Sequence, residues 1–167
     1  MPQQKKIEYD VDGSEAVSSV LMDLLNTFPA LGTRRVEFST LEDGGGIGFF
    51  PTSGAAILSQ IKDITGHVSQ VCHYPFTIVY RIAPKKEAQK IKAKEFLDDF
   101  GKWLERQPVT INGADCQIAE YPELHSGNRK IQTIARTNPA HLGTAYPDGI
   151  EDWTFSAALR YENEFDT

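Results

Sequence analysis

The sequence predicts an α+β fold: a mainly antiparallel sheet with two long helices packed on one face. Three observations lead there. Period-two apolar alternation recurs at residues 34–39, 76–82, 129–137 and 150–165, as half-buried strands require. Residues 14–28 and 84–107 carry helical stripes instead, with apolar side chains returning every three or four positions. The two helices do not alternate regularly with the strands, so a wound parallel sheet fits less well. The 167 residues suit one domain, spanning 1–167, with a core of its own.

Residues 1–12 read as a flexible segment, where Lys5 and Lys6 precede Glu8, Asp10 and Asp12 without an apolar run. In the first helix Val17, Val20, Leu21, Leu24, Leu25 and Phe28 form one stripe. Ser14 is its expected N-cap, and Pro29 follows its end. Val36 and Phe38 then alternate with Glu37 and Ser39. Gly44, Gly45 and Gly46 interrupt before a short strand at 47–50. A triple glycine can cradle phosphate, but no Gly-Lys-Ser/Thr follows it here, so it reads as a surface loop.

Residues 55–64 fit either a helical stripe or a strand. Residues 76–82 are a strand, and Pro75 marks 67–74 as an edge strand or as kinked. Pro84 suits the first turn of the second helix, whose stripe is Ala93, Phe96, Leu97, Phe100, Trp103 and Leu104. Lys85, Lys86, Lys90, Lys92 and Lys94 spread around its solvated side. Asn112-Gly113 signals a tight hairpin turn within 109–119. Residues 121–128 are loop and 129–137 a strand. A loop over 137–149 leads to the longest strand, with Trp153, Phe155, Ala157, Leu159 and Tyr161 on one face.

The net charge of −6 opposes sequence-specific nucleic-acid binding, which needs a basic surface. No apolar run reaches the roughly 20 residues that span a bilayer, and no export segment is seen, so the expected location is the cytoplasm of the producing cell. Cys72 and Cys116 lack metal-binding spacing and read as free thiols. His67, His73, His125 and His141 are scattered, so no metal site is expected, nor any cofactor.

No nucleophile elbow is present. Asp98 and Asp99 are helix neighbours that point apart, and Glu162 and Glu164 read as an exposed acidic edge. His141, followed by Asp148-Gly149, invites comparison with the chloramphenicol acetyltransferase family, whose His-x-x-x-Asp-Gly motif supplies a general base. Six residues separate His141 from Asp148 here, not three. An acyltransferase using His141 is therefore kept only as an alternative, beside a small protein-binding adaptor with an exposed sheet edge.

The order of elements, with YPFTIVYRIAP entering a lysine-rich helix, then RKIQTIARTNPA and a final EDWTFSAALRYENEF, resembles the minor capsid and tail-terminator proteins of long-tailed bacteriophages and prophages. The resemblance covers residues 15–165. It implies a structural protein without catalytic residues, assembled as a homo-oligomeric ring, typically a hexamer in that family, that caps the tail tube and meets the head connector. It implies assembly in the bacterial host cytoplasm and residence in the virion. The glycines 44, 45 and 46 and the residues His141, Tyr146 and Asp148 are then candidate subunit-contact loops, with His141 and Tyr146 exposed at the crest of the 137–149 loop.

Overall fold

The structure is a computed structural model that describes residues 6–167; residues 1–5 of the expected flexible segment lie outside the described residues. From Glu8 the chain is already engaged. Glu8 O accepts from Ile57 N at 2.9 Å, and Tyr9 bridges to Ala56.

Helix α1 spans Val11–Leu25, three residues ahead of the predicted start. Asp10, not Ser14, is its cap: Asp10 Oδ1 accepts from Gly13 N at 3.1 Å, the bond that an N-terminal carboxylate supplies. The Ser14 hydroxyl accepts instead from Ala55 N at 2.6 Å. Gly13 fits because a Cβ there would overlap the Asp10 carboxylate and the Tyr161 hydroxyl. At the other end Asn26 Oδ1 accepts from Val36 N at 2.8 Å, and Phe28 leads into a 3-10 turn at Pro29–Leu31.

Strand β1 (Val36–Phe38) runs parallel to β2 (Gly46–Pro51). Residues 55–64, ambiguous by pattern, contain strand β3 (Ala56–Lys62). Strand β4 (His67–Ile82) is a single 16-residue strand. Its first half pairs with β3 and its second half with β2, both antiparallel. The expectation of an edge or kinked strand before Pro75 is therefore corrected. Thr52 N donates to Pro75 O at 3.0 Å, so the side of Pro75 without an N–H faces the gap between β3 and β2. A missing donor there costs no ladder bond.

Helix α2 spans Glu87–Leu104, shorter than the predicted 84–107. Gln89 Oε1 accepts from the N–H groups of Lys85 and Lys86 at 2.6 and 3.3 Å and so fixes the start beyond Pro84. Strands β5 (Val109–Ile111) and β6 (Ala114–Cys116) form a separate hairpin. Asn112 and Gly113 have φ of 52° and 78°, the paired positive values that a two-residue turn of this type demands.

Strand β7 (Arg129–Ala145) and strand β8 (Glu151–Asp166) make the longest hairpin. The loop expected over 137–149 is corrected accordingly: residues 137–145 continue β7, and only a tight turn remains at 146–150. Register shifts at four places along β7 reset its alternation, so the period of two expected over 129–137 is corrected: the buried residues of β7 are Ile131, Ile134 and Ala140. Pro139 and Gly143 are tolerated because β7 is an edge strand. The main sheet is ordered β1-β2-β4-β8-β7, with β3 on β4. It is mainly antiparallel and accompanied by two helices, an α+β fold.

Tyr74, Phe76 and Ile78 of β4 and Phe155, Leu159 and Tyr161 of β8 share one buried cluster with Val17, Leu21 and Leu25 of α1 and Leu97 and Phe100 of α2. Phe28 meets the Phe100 ring at 4.3 Å and that of Trp103 at 5.1 Å. Phe100 in turn lies 6.1 Å from Phe155. Aromatic burial of this size dominates the energetics of a small core.

Candidate functional site

The candidate loops meet at one end of the sheet, and Arg81 joins them. This residue ends the outer row of β4, paired with Gly46 on one side and Asp152 on the other. Its Nε and Nη2 donate to the two Asp152 oxygens at 2.7 and 3.0 Å, the bidentate geometry that favours arginine. Its Nη1 donates to Glu42 O at 3.3 Å, beside the glycine loop. Its Nη2 also reaches the Tyr146 hydroxyl at 3.3 Å, which itself donates to Asp152 Oδ2 at 2.9 Å. The Arg81 hydrogen bond outweighs burial and holds the Asp152 carboxyl below its usual range. Glu42 and Gly46, which bound the glycine loop, on one side and Tyr146 on the other are thus joined at one charged hub.

His141 is not in the turn. It lies within β7 opposite Thr154, and its Nδ1 donates to Pro139 O at 2.7 Å. Asp148 stays in the turn, where Oδ1 accepts from Ile150 N at 3.1 Å. The pair that a histidine base and its orienting carboxylate would form is not made: each residue serves the backbone next to it. The expected crest of His141 and Tyr146 is corrected: Tyr146 stands at the turn, whereas His141 lies inside β7.

Glu162 and Glu164 also need correction as an edge, because β8 lies between β4 and β7. They share a strand face at one end of the sheet. Lys130 stands opposite Glu162, and His67 lies 3.9 Å from Glu164 and 2.9 Å from Asp166. Asp98 takes the Lys94 ammonium at 2.8 Å. Among the described residues, no group of three His, Cys, Asp or Glu side chains is disposed to hold a metal ion. Among the described residues, no helix is long and apolar enough to cross a membrane. Cys72 is a buried free thiol and Cys116 a half-buried one.

Strand β7 forms one edge of the sheet, and two of its backbone donors are answered by side chains. Tyr121 OH accepts from Ile134 N at 3.3 Å, and Glu105 Oε2 accepts from Arg136 N at 2.8 Å. Pro139 has no N–H to offer. These are recognised means of protecting an edge against an added strand.

Sequence reasoning missed the buried polar cluster at the start of α1. Asp10 accepts from Arg129 Nε and Nη2 at 2.9 and 2.8 Å and from the Tyr161 hydroxyl at 2.6 Å. Burial pushes the Asp10 carboxyl up, but the bonds from Arg129, Tyr161 and Gly13 prevail and hold it below its usual range. The signal available was Asp10 itself, an N-cap residue type directly before Val11.

No known family model matches the chain, and no curated protein matches its sequence.

Proposed function

We propose that this protein is a virion structural subunit of a bacteriophage or prophage, a tail terminator at the head–tail junction. It forms a ring, caps the tail tube and meets the head connector, and it has no catalytic role. Both helices pack on one face of the main sheet in this reading. Ser18 of α1 shares a 2.6 Å hydrogen bond with Tyr74, and Phe100 of α2 packs on Phe155. Tyr74 and Ile78, the partner of Phe155, lie on the same side of β4.

The opposite side is then open, and its character carries the reading. The successive cross-strand pairs Pro75–Ala158, Thr77–Ser156 and Val79–Thr154 hold no charge. On β7 the same rows continue with Ala135, Asn138 and His141. An open sheet face on a free-standing domain is normally polar and carries charged side chains among its rows. A flat neutral strip of small side chains, bounded by Arg160 on one end and by Arg81 and Asp152 on the other, suits cover by another protein. The tail tube and the connector are the partners the reading assigns to it.

The test is co-sedimentation with purified tail tubes and with head connectors, alongside light scattering of the concentrated protein. Binding to either particle by a ring-sized species is the expected result. Failure to bind both, with the protein monomeric at high concentration, removes the reading. Acetyl transfer from acetyl-coenzyme A that disappears in His141→Ala would put the acyltransferase in its place.

A further inference from the structure

A hairpin tip and a cleft at opposite ends of the sheet are complementary in both charge and shape. The cleft, about 470 Å³, lies between the end of β4 and the first turns of α2. Its floor is Tyr80, Phe96, Ile82 and Pro84, and its cations are Arg34 and Lys92. Arg34 is fixed in place. Its Nε donates to Leu31 O at 3.0 Å, its Nη1 to Tyr80 OH at 2.6 Å and its Nη2 to Ala30 O at 2.8 Å. Its guanidinium carbon lies 4.6 Å from the centre of the Phe96 ring. All of these acceptors are neutral. Among the described residues, neither Arg34 nor Lys92 has a carboxylate within ion-pair distance, and no acid lines the cleft. Exposed Lys85 adjoins it.

The other end lies thirteen residues back along β4, roughly 40 Å away at the rise of an extended strand. There the turn between β3 and β4 presents Ile64, fully exposed, with Ile61 71 % exposed behind it. Ile61, Ser69 and Glu164 form one cross-strand row, and Asp166 lies one row on, beside His67. The carboxylates of Glu164 and Asp166 have His67 as their ion-pair partner. Two large aliphatic side chains thus stand exposed at one tip, beside two carboxylates.

We infer that the Ile64 tip of one copy, with Glu164 and Asp166, docks in the Arg34–Lys92 cleft of the next copy. The occupant is a second copy because this chain carries the matching surface: aliphatic side chains for the aromatic floor and two carboxylates for the unpaired cations. The two surfaces differ and lie at opposite ends, so the contact is head-to-tail. Repetition closes a ring when the rotation allows it. This inference rests on the ring reading and supplies its subunit contact, leaving the neutral sheet face for other partners.

Mass measurement by light scattering on four samples tests it: wild type, Lys85→Glu/Lys92→Glu, Glu164→Lys/Asp166→Lys, and an equimolar mixture of the two variants. All four positions are exposed, and circular dichroism melts check that the variants are folded. The first variant has two acidic ends and the second two basic ends. Each alone is expected to fall to monomer mass, and the mixture to regain the wild-type oligomer mass by alternating. Variants that keep the wild-type mass, or a mixture that stays monomeric beside an oligomeric wild type, overturn the inference and leave the ring reading standing. A monomeric wild type overturns the inference, and the ring reading is then decided by the tube and connector experiment.

Discussion

The Asp10 carboxylate and the Arg129 guanidinium close on each other through two hydrogen bonds, of 2.9 and 2.8 Å, across 119 positions of sequence. Both side chains are about nine-tenths buried. The pair pins the start of α1 to the first residue of β7, and the Tyr161 hydroxyl adds a third bond from β8.

Removing one partner strands the other in a poorly solvated place, which costs about 3–5 kcal/mol for a buried pair. Asp10→Ala is therefore expected to lower the unfolding free energy by about 3 kcal/mol in urea titration, and it also removes the helix cap. A loss below about 0.5 kcal/mol, the scale of an ordinary surface change, would count against the clamp.

The same carboxylate sets an acid limit. Its pKa is lowered in the folded protein, so its stabilisation is present above the ordinary carboxylate value of about 3.9. It is lost as pH falls from there through the folded value. Wild type is expected to lose stability below about pH 4 more steeply than Asp10→Asn. Parallel acid-unfolding curves would contradict this.

His67 behaves with the opposite sign. A hydrogen bond to Asp166 is the main cause that raises its pKa, helped by the charges of Asp166, Glu164 and Asp63. A raised value means stabilisation that is complete below the ordinary histidine value of about 6.5 and lost as pH rises through the folded one. Titration followed by NMR of the imidazole is expected to place the His67 midpoint above 6.5 and to show it falling in Asp166→Asn. An unmoved midpoint would break the assignment.

The two cysteines are expected to differ in reactivity. Cys72 lies in the core with burial raising its thiol pKa, and thiolate is the reactive form. Ellman's reagent should titrate one thiol quickly in the native protein, that of Cys116, and the second only as the protein unfolds in urea. Two thiols reacting at one native rate would mean that Cys72 is open to solvent.

Local signals carried much of this fold and little of its surface chemistry. The stripe Val17–Leu21–Leu25 and the alternation of Phe155, Ala157, Leu159 and Tyr161 identify α1 and β8 because each buries one face of a regular element. Asn112-Gly113 identifies its turn because both residues accept positive φ. The second half of β7 was hidden by its bulges, and the unbroken course of β4 by Pro75, whose tolerance depends on the gap between two strands elsewhere in the chain. Arg81 with Asp152, Asp10 with Arg129 and Arg34 over Phe96 are pairings across folded distance, on which spacing along the sequence is silent. The glycine loop and Tyr146 could be named as loop residues, but their convergence on Arg81 required the register of β2, β4 and β8.

The last prediction concerns the edge at β7. Glu105 Oε2 accepts from the backbone N–H of Arg136, while its Oε1 takes the Arg136 side chain at 2.8 Å. In Glu105→Ala both are lost. A partly buried backbone donor without a partner costs about 1–3 kcal/mol, and the strand regains an outward N–H near the middle of its length. Glu105→Gln keeps an acceptor for that N–H and loses the charge. The alanine variant is expected to be destabilised by about 2 kcal/mol in urea and to scatter more light on prolonged incubation, with the glutamine variant closer to wild type in scattering. Equal aggregation of wild type and both variants would show that Glu105 does not guard the edge, and that the bulges and Pro139 suffice to keep a further strand from adding there.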